Sequence, residues 1–353
     1  MRRCLLPLAA LLLGGCSTLS FYWQAFNGQM EVTRLARPLE EVVADPATSS
    51  DIRRRLAYAQ RVRDYASSEL GLPDNASYRR YADLKRQFVV WNVFAAPALS
   101  LDLRTQCFPV AGCVVYRGFF AREAAENHAA GLRSEGLDVA LGGVPAYSTL
   151  GWFADPLLNT FIRYPDLDIA RLIFHELAHQ VAYVRDDSTF NESFAVAVEQ
   201  EGLRRWMIAN AGDAERAAYV AYAERRRDLM RLMLGARREL GEAYAAAVGD
   251  GAKQQAKARI LQSLVDRYTA QKAQWNLGEA QLRVYDDWVL KDLNNAKLGS
   301  IATYTQRVPQ FAALLAEVGG DLGRFYGAVA ALAALPKAER ERRLDQLGTL
   351  AKE

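Results

Sequence analysis

Apolar residues recur at helical spacing over most of the chain, and only one internal stretch switches to the alternation of strands. From Phe21 to about Leu101 the pattern is mainly helical. "EEVVADPATSSDIRRRLAYAQRVRDYASSELGL" predicts a helix capped by Ser49 or Ser50 and stopped at Gly71. "SYRRYADLKRQFVVWNVFAAP" begins with helical spacing and passes into an aromatic and β-branched run, Phe88 to Phe94, that predicts a strand. Strand signals repeat between about residues 86 and 160. "CVVYRGFF" is β-rich, "EAAENHAAGLRSEGL" predicts a crossover helix, and "DVALGGVPAYSTLGWF" predicts two short strands around a Gly-Gly turn.

From Asp166 onward the pattern is nearly all helix. Asp166 can cap a segment running through "IARLIFHELAHQVAYV" to about Val184, and Ser188 or Thr189 can cap "FNESFAVAVEQEGLRRWMIAN". Two long charged helices follow, at about 213–247 and 252–275, around the turn "GDG". The run Arg225–Arg226–Arg227 in the first of them reads as a solvated face. Further helices break at Pro309, Gly319–Gly320 and Pro336. There is no internal repeat and no low-complexity linker. The expected fold is mainly α with a small β-sheet, an α+β arrangement. Its expected divisions are a leader at 1–15, a helical segment and small sheet at 16–165, and a helical part at 166–353 packed with the preceding part as one catalytic unit.

The N-terminal "MRRCLLPLAALLLGGCSTLS" changes this picture. Two arginines, an apolar run from Leu5 to Leu13 and small residues make a secretory signal, too short for a permanent membrane span. Leu13-Gly14-Gly15-Cys16 resembles the bacterial lipobox, which implies cleavage before Cys16 and lipid on its sulfur. Ser17, rather than Asp, resembles lipoproteins sent to the outer membrane. The expected location is therefore the cell envelope, facing the periplasm, with the outer membrane preferred over the inner. Of the 353 residues 51% are hydrophobic and 24% charged, the balance of a folded chain, and the net charge of +3 gives no sign of a nucleic-acid partner. Four cysteines are present. With Cys4 in the leader and Cys16 lipidated, Cys107 and Cys113 remain as a pair in an oxidising compartment, which predicts a disulfide.

The chemistry lies in "HELAH". His175 and His179, at i and i+4, share one face of a helix and can reach one metal ion, while Glu176 projects beside it as a base for bound water. With only 3 histidines in the chain, a chance HExxH is expected in on the order of one chain in a thousand. A catalytic zinc takes three protein ligands and an open position. Glu192 and Glu199, seven residues apart on the next helix, both qualify on spacing. Asp186, Asp187 or Glu199 could orient a ligand histidine. Tyr304 and Tyr147 are candidate donors to the transition-state oxyanion, and "AYSTLGWF" is a candidate edge strand for extended substrate. His128 reads as a packing residue.

"HELAHQVAYVRDDSTFNESFA", with "CFPVAGCVVYRGFF", "AYSTLGWFADPLLNTF", "LNNAKLGSIATY" and "GGDLGRFY", resembles the predicted zinc aminopeptidase lipoproteins of Gram-negative bacteria, gluzincin-like enzymes. The resemblance covers essentially the whole chain. It implies a zincin-like fold, one zinc ion held by His175, His179 and Glu192 of the "NE" pair, and Glu176 as general base. It also implies a peptide substrate and membrane attachment through Cys16; Tyr304 as a catalytic residue, and Tyr147 and Glu199 as substrate contacts (Glu199 at the free amine), are candidates from the residues alone. One departure is the twelve residues between His179 and Glu192, fewer than in thermolysin-like enzymes. Two other readings stand beside the aminopeptidase: an envelope metalloendopeptidase, and a non-catalytic lipoprotein binding a partner. Glu176 opposes the last, since a structural site has no use for a base.

Overall fold

The computed structural model describes residues 21–108 and 112–350; the leader and the lipidation site expected at Cys16 lie outside the described residues. A first helix, α1, covers residues 21–35 and leads to strand β1 (Arg37–Pro38), a short helix α2 (Leu39–Ala44) and the long α3 (Ser50–Ser68). Strands β2 (Arg80–Ala82) and β3 (Val90–Pro97) come next, then the small hairpin β4 (Gln106–Phe108) and β5 (Gly112–Val114), and β6 (Arg117–Phe119). Helix α4 (Arg122–Ser134) crosses over to β7 (Leu137–Val144), and β8 (Leu157–Leu158) with a single turn α5 (Asn159–Ile162) closes the strand-bearing part. The rest is helical: α6 (Asp166–Ala178), α7 (Ser188–Asn210), α8 (Asp213–Ala246), α9 (Asp250–Lys272), α10 (Glu279–Leu290), α11 (Asn295–Thr305), α12 (Val308–Glu317), α13 (Leu322–Ala334) and α14 (Lys337–Leu350). The protein is mainly α with small sheets. None of the described helices is long and apolar enough to cross a membrane.

Three small sheets replace the single one expected. β3 pairs antiparallel with β7 from Val90↔Val144 to Pro97↔Leu137 and with β6 on its other edge. β2 lies between β1 and β8, and β4 pairs with β5. The Gly142–Gly143 pair lies inside β7 and is no turn. A Cβ on Gly143 would stand 2.2 Å from the Phe88 ring, so the glycine is there to let that ring lie on the strand. Residues 146–153, expected as an edge strand for substrate, form a loop with left-handed backbone at Leu150 and Gly151. The helical start expected after Ser77 is also absent. Tyr78 and Lys85 have positive φ, which no helix tolerates, and β2 occupies the space between them.

The largest apolar cluster draws on residues from Val32 to Leu347, and α6 and α7 run through it. Leu172 to Ala178 are all buried, as are Phe190 to Glu199, so these helices have no solvent face over their central turns. Gly202 permits their close approach: a Cβ there would sit 2.9 Å from the Phe174 ring and 2.8 Å from Leu70. A fully buried Phe such as Phe174 or Phe194 contributes about 2–3 kcal/mol by leaving water. Helices α8 and α9 pack differently, along one stripe. Leu229, Met233, Ala236 and Leu240 meet Ile260, Leu264 and Tyr268 in a second cluster shared with α11.

Candidate metal centre

Helix α6 stops earlier than its apolar pattern suggested, at Ala178, with His179 as its C-cap. The chain then turns back over residues 180–187. Asn191 locks that turn: its side-chain oxygen accepts from the Val184 N–H at 2.7 Å, and its amide donates to the Val184 carbonyl at 2.8 Å. Asp187, not Ser188 or Thr189, caps α7, accepting from the Phe190 N–H at 3.1 Å. Because the turn is fixed at its foot, Glu192 enters α7 at the level of the histidines.

The Nε2 atoms of His175 and His179 lie 3.4 and 3.5 Å from the same Glu192 oxygen. The ligand-capable atoms of these three residues fall within 4.8 Å of one another, and all three side chains are buried. Two imidazole nitrogens and a carboxylate oxygen converging in a buried place could hold one metal ion, and the donor set suits zinc. Burial draws His175 down, yet its bonds to Glu192 and Glu199 and the charge of Glu176 outweigh that and lift it to about 10. Burial raises Glu192, but the two histidines outweigh it and bring the carboxyl down to about 2. Each partner thus holds the other in its charged form.

Glu199 does not enter the cluster. It sits behind His175, with Oε2 at 3.1 Å from Nδ1, and is 1% exposed. Its oxygens also face Arg171 (3.4 Å) and Arg226 (3.2 Å). The acidic group that was to meet a substrate amine is therefore engaged by two guanidinium groups. Arg226, read from sequence as solvated, reaches inward instead.

Glu176 is buried on the same helix, and burial raises its carboxyl above the ordinary range. Tyr304, on α11, lays its ring 6.4 Å from that of His175, at an interplanar angle of 24°. Its phenol is raised well above the usual value by burial and by the charges of Glu192 and Glu176. Tyr116, unmarked by any sequence signal, is raised in the same way and shares an apolar cluster with Tyr304. A further group lies on the Glu176 side. Asp155 is buried and pushed up to about 6, by burial first and by Glu176 last, although the Thr149 N–H and hydroxyl donate to it at 2.9 and 2.8 Å. Tyr78 is 1% exposed, and its hydroxyl has no hydrogen-bond partner among the described residues.

Other nominated residues lie elsewhere. The Tyr147 hydroxyl donates to the Gln29 side chain, and its ring packs edge-on against Phe120 at 5.8 Å. Asp186 accepts from the Cys113 N–H, tying the β4–β5 hairpin to the turn after α6. Asp187 pairs with Arg340 at 2.7 Å. Cys107 and Cys113 are joined by a disulfide. His128 packs on Phe119 at 5.3 Å.

The sequence does carry a signal for Arg226. It precedes Leu229, Met233, Ala236 and Leu240 at alternating spacings of three and four, so it falls on the inward stripe of α8. No comparable pattern marks Tyr116 or Tyr78.

No curated protein and no solved structure matches the chain. A family model does, over residues 20–344, and that span takes in every element of the centre. The chain belongs to the family described as "Putative aminopeptidase".

Proposed function

We propose that the protein is a zinc-dependent peptidase, an aminopeptidase by its family, with one ion held by His175, His179 and Glu192. The observation that carries this reading is the convergence of both imidazole Nε2 atoms on one Glu192 oxygen. Zinc held there would supply Lewis acidity and a water of lowered pKa. Glu176 takes the proton released as water attacks the peptide carbonyl, then returns it to the departing amine. Burial raises its carboxyl above the ordinary carboxylate range, which makes it a stronger base toward the water proton. Tyr304 stays neutral and can donate its hydroxyl proton to the developing oxyanion. Glu199 holds the Nδ1 proton of His175, leaving Nε2 free as a ligand.

Internal cleavage is the second reading. The engagement of Glu199 by two arginines favours it, because the carboxylate expected to meet a free amine is taken. The Cys16 tether belongs to the proposal as well, with the protein facing the periplasm, preferably on the outer membrane. Exposed Trp23, Phe26 and Met30 share one face of α1 shortly after Cys16, a composition suited to a bilayer surface. Metal analysis of the purified protein tests the core of the reading. One zinc per chain that is lost in Glu192→Gln supports it; stoichiometric zinc that survives the substitution overturns the ligand set. Cleavage of a peptide library at residue one or at internal bonds separates the two readings, and labelled fatty acid in wild type but not in Cys16→Ser tests the tether.

A further inference from the structure

Glu199 is a buried carboxylate with three partners from two helices. His175 Nδ1 and Arg171 Nη1 on α6 approach Oε2 at 3.1 and 3.4 Å, and Arg226 Nη1 on α8 approaches Oε1 at 3.2 Å. Arg171 is divided, since its Nε also donates to Asp168 at 3.3 Å, and Asp168 accepts from the Tyr222 hydroxyl at 3.3 Å. Arg226 is the cation that faces Oε1. Its neighbours do not share the task. Arg227 lies 3.9 Å from Glu224, and both of those side chains are mostly exposed.

We infer that Arg226 is a positioning residue for the metal centre, through which the docking of α8 sets the affinity of the His175–His179–Glu192 cluster for zinc. This rests on the metal reading above. A buried carboxylate keeps a fixed place only when its charge is matched and its lone pairs are filled. With Arg226 on Oε1, the carboxylate is pinned from both sides and Oε2 stays in line with His175 Nδ1. The ring is then held in the tautomer and orientation that turn Nε2 toward Glu192. Without Arg226 one oxygen is left buried and unmatched, and the carboxylate can rotate away from Nδ1. The ligand ring loses its orientation while all three ligands remain. Partners of this kind are typically worth 10–100-fold in metal affinity. The inference also gives a purpose to a charged residue on an otherwise apolar stripe, where desolvation would select against it.

The test is zinc affinity, measured on the full chain purified in detergent, stripped by a chelator and titrated with zinc against a chromophoric competitor. Arg226→Met is expected to weaken binding about tenfold, Arg226→Lys to recover most of the loss, and Arg227→Met to change nothing. Cobalt substitution gives a readout that a merely structural role would not move. The visible spectrum should shift in Arg226→Met and match wild type in Arg227→Met. If Arg226→Met folds poorly, Arg226→Gln carries the same expectation of weakened binding. A folded Arg226→Met or Arg226→Gln protein with wild-type zinc affinity and cobalt spectrum overturns the inference and leaves the metal site intact. Failure of the wild type to bind zinc overturns the metal reading itself.

Discussion

The α6–α7 pair and the α8–α9 hairpin are both helical pairs joined by short connections, yet they are built on opposite rules. Helices α8 and α9 bury single stripes, four named residues in each, and leave the rest to water and charge. Helices α6 and α7 bury every residue of their central turns, polar ones included. In the hairpin, charge can sit almost anywhere at little cost. In the buried pair a polar group needs a partner: His175 and His179 meet Glu192, Glu199 meets His175, Arg171 and Arg226, and Asn191 meets the Val184 backbone. Arg226 is where the two regions meet.

The sharpest way to break the contrast is to disable one buried polar residue without disturbing packing. Glu176→Gln should keep stoichiometric zinc and lower peptide cleavage by about 10²–10⁴-fold; cleavage at the wild-type rate would remove Glu176 as the base. Truncating an apolar neighbour tests the same region through stability. Phe174→Ala should cost about 3–5 kcal/mol in denaturant unfolding, since the ring lies at the α6–α7–α3 contact.

A smaller effect comes from Asp155, whose carboxyl is near 6 in the folded chain against an ordinary 3.8. The folded chain keeps a proton that the unfolded chain has already released, so this group lowers stability as pH rises through that window. Asp155→Asn removes the dependence. The stability difference should move in the variant's favour by roughly 2–3 kcal/mol between pH 4 and pH 7, and a constant difference across that range would refute it. Asn191→Ala frees the turn after α6 at both ends of Val184. It should cost about 1–3 kcal/mol and weaken zinc binding, read in paired melts with and without zinc. The control lies in the hairpin. Arg238 and Glu242 are exposed and 3.9 Å apart, and replacing either should change stability by less than about 0.5 kcal/mol.

Much of the centre was legible because it is local. His175, Glu176 and His179 lie within five residues, where helical geometry alone decides which side chains share a face. The α8–α9 hairpin and its glycine turn were readable for the same reason, as was the helix capped by Ser49. The early end of α6 was not, because the apolar run continues past it. The turn that follows is held by the Asn191 side chain on the backbone of Val184, a contact that exists only once the chain has turned back. The strand expected at 146–153 failed on a similar ground: its aromatic residues Trp152 and Phe153 are exposed on a loop.

By itself, then, the sequence determined the helical class, the two histidines with their neighbouring glutamate, and the cysteine pair, since each depends on spacings of a few residues or on composition. Which of Glu192 and Glu199 stands at the histidine Nε2 atoms needed the tertiary structure. Both satisfy the helical period, and only the packed turn brings Glu192 to the Nε2 atoms while Arg171 and Arg226 hold Glu199 behind His175. Helical periodicity gives a side chain its face. Which charge stands opposite that face is decided by segments distant in sequence, because a buried carboxylate takes its role from the partners that surround it.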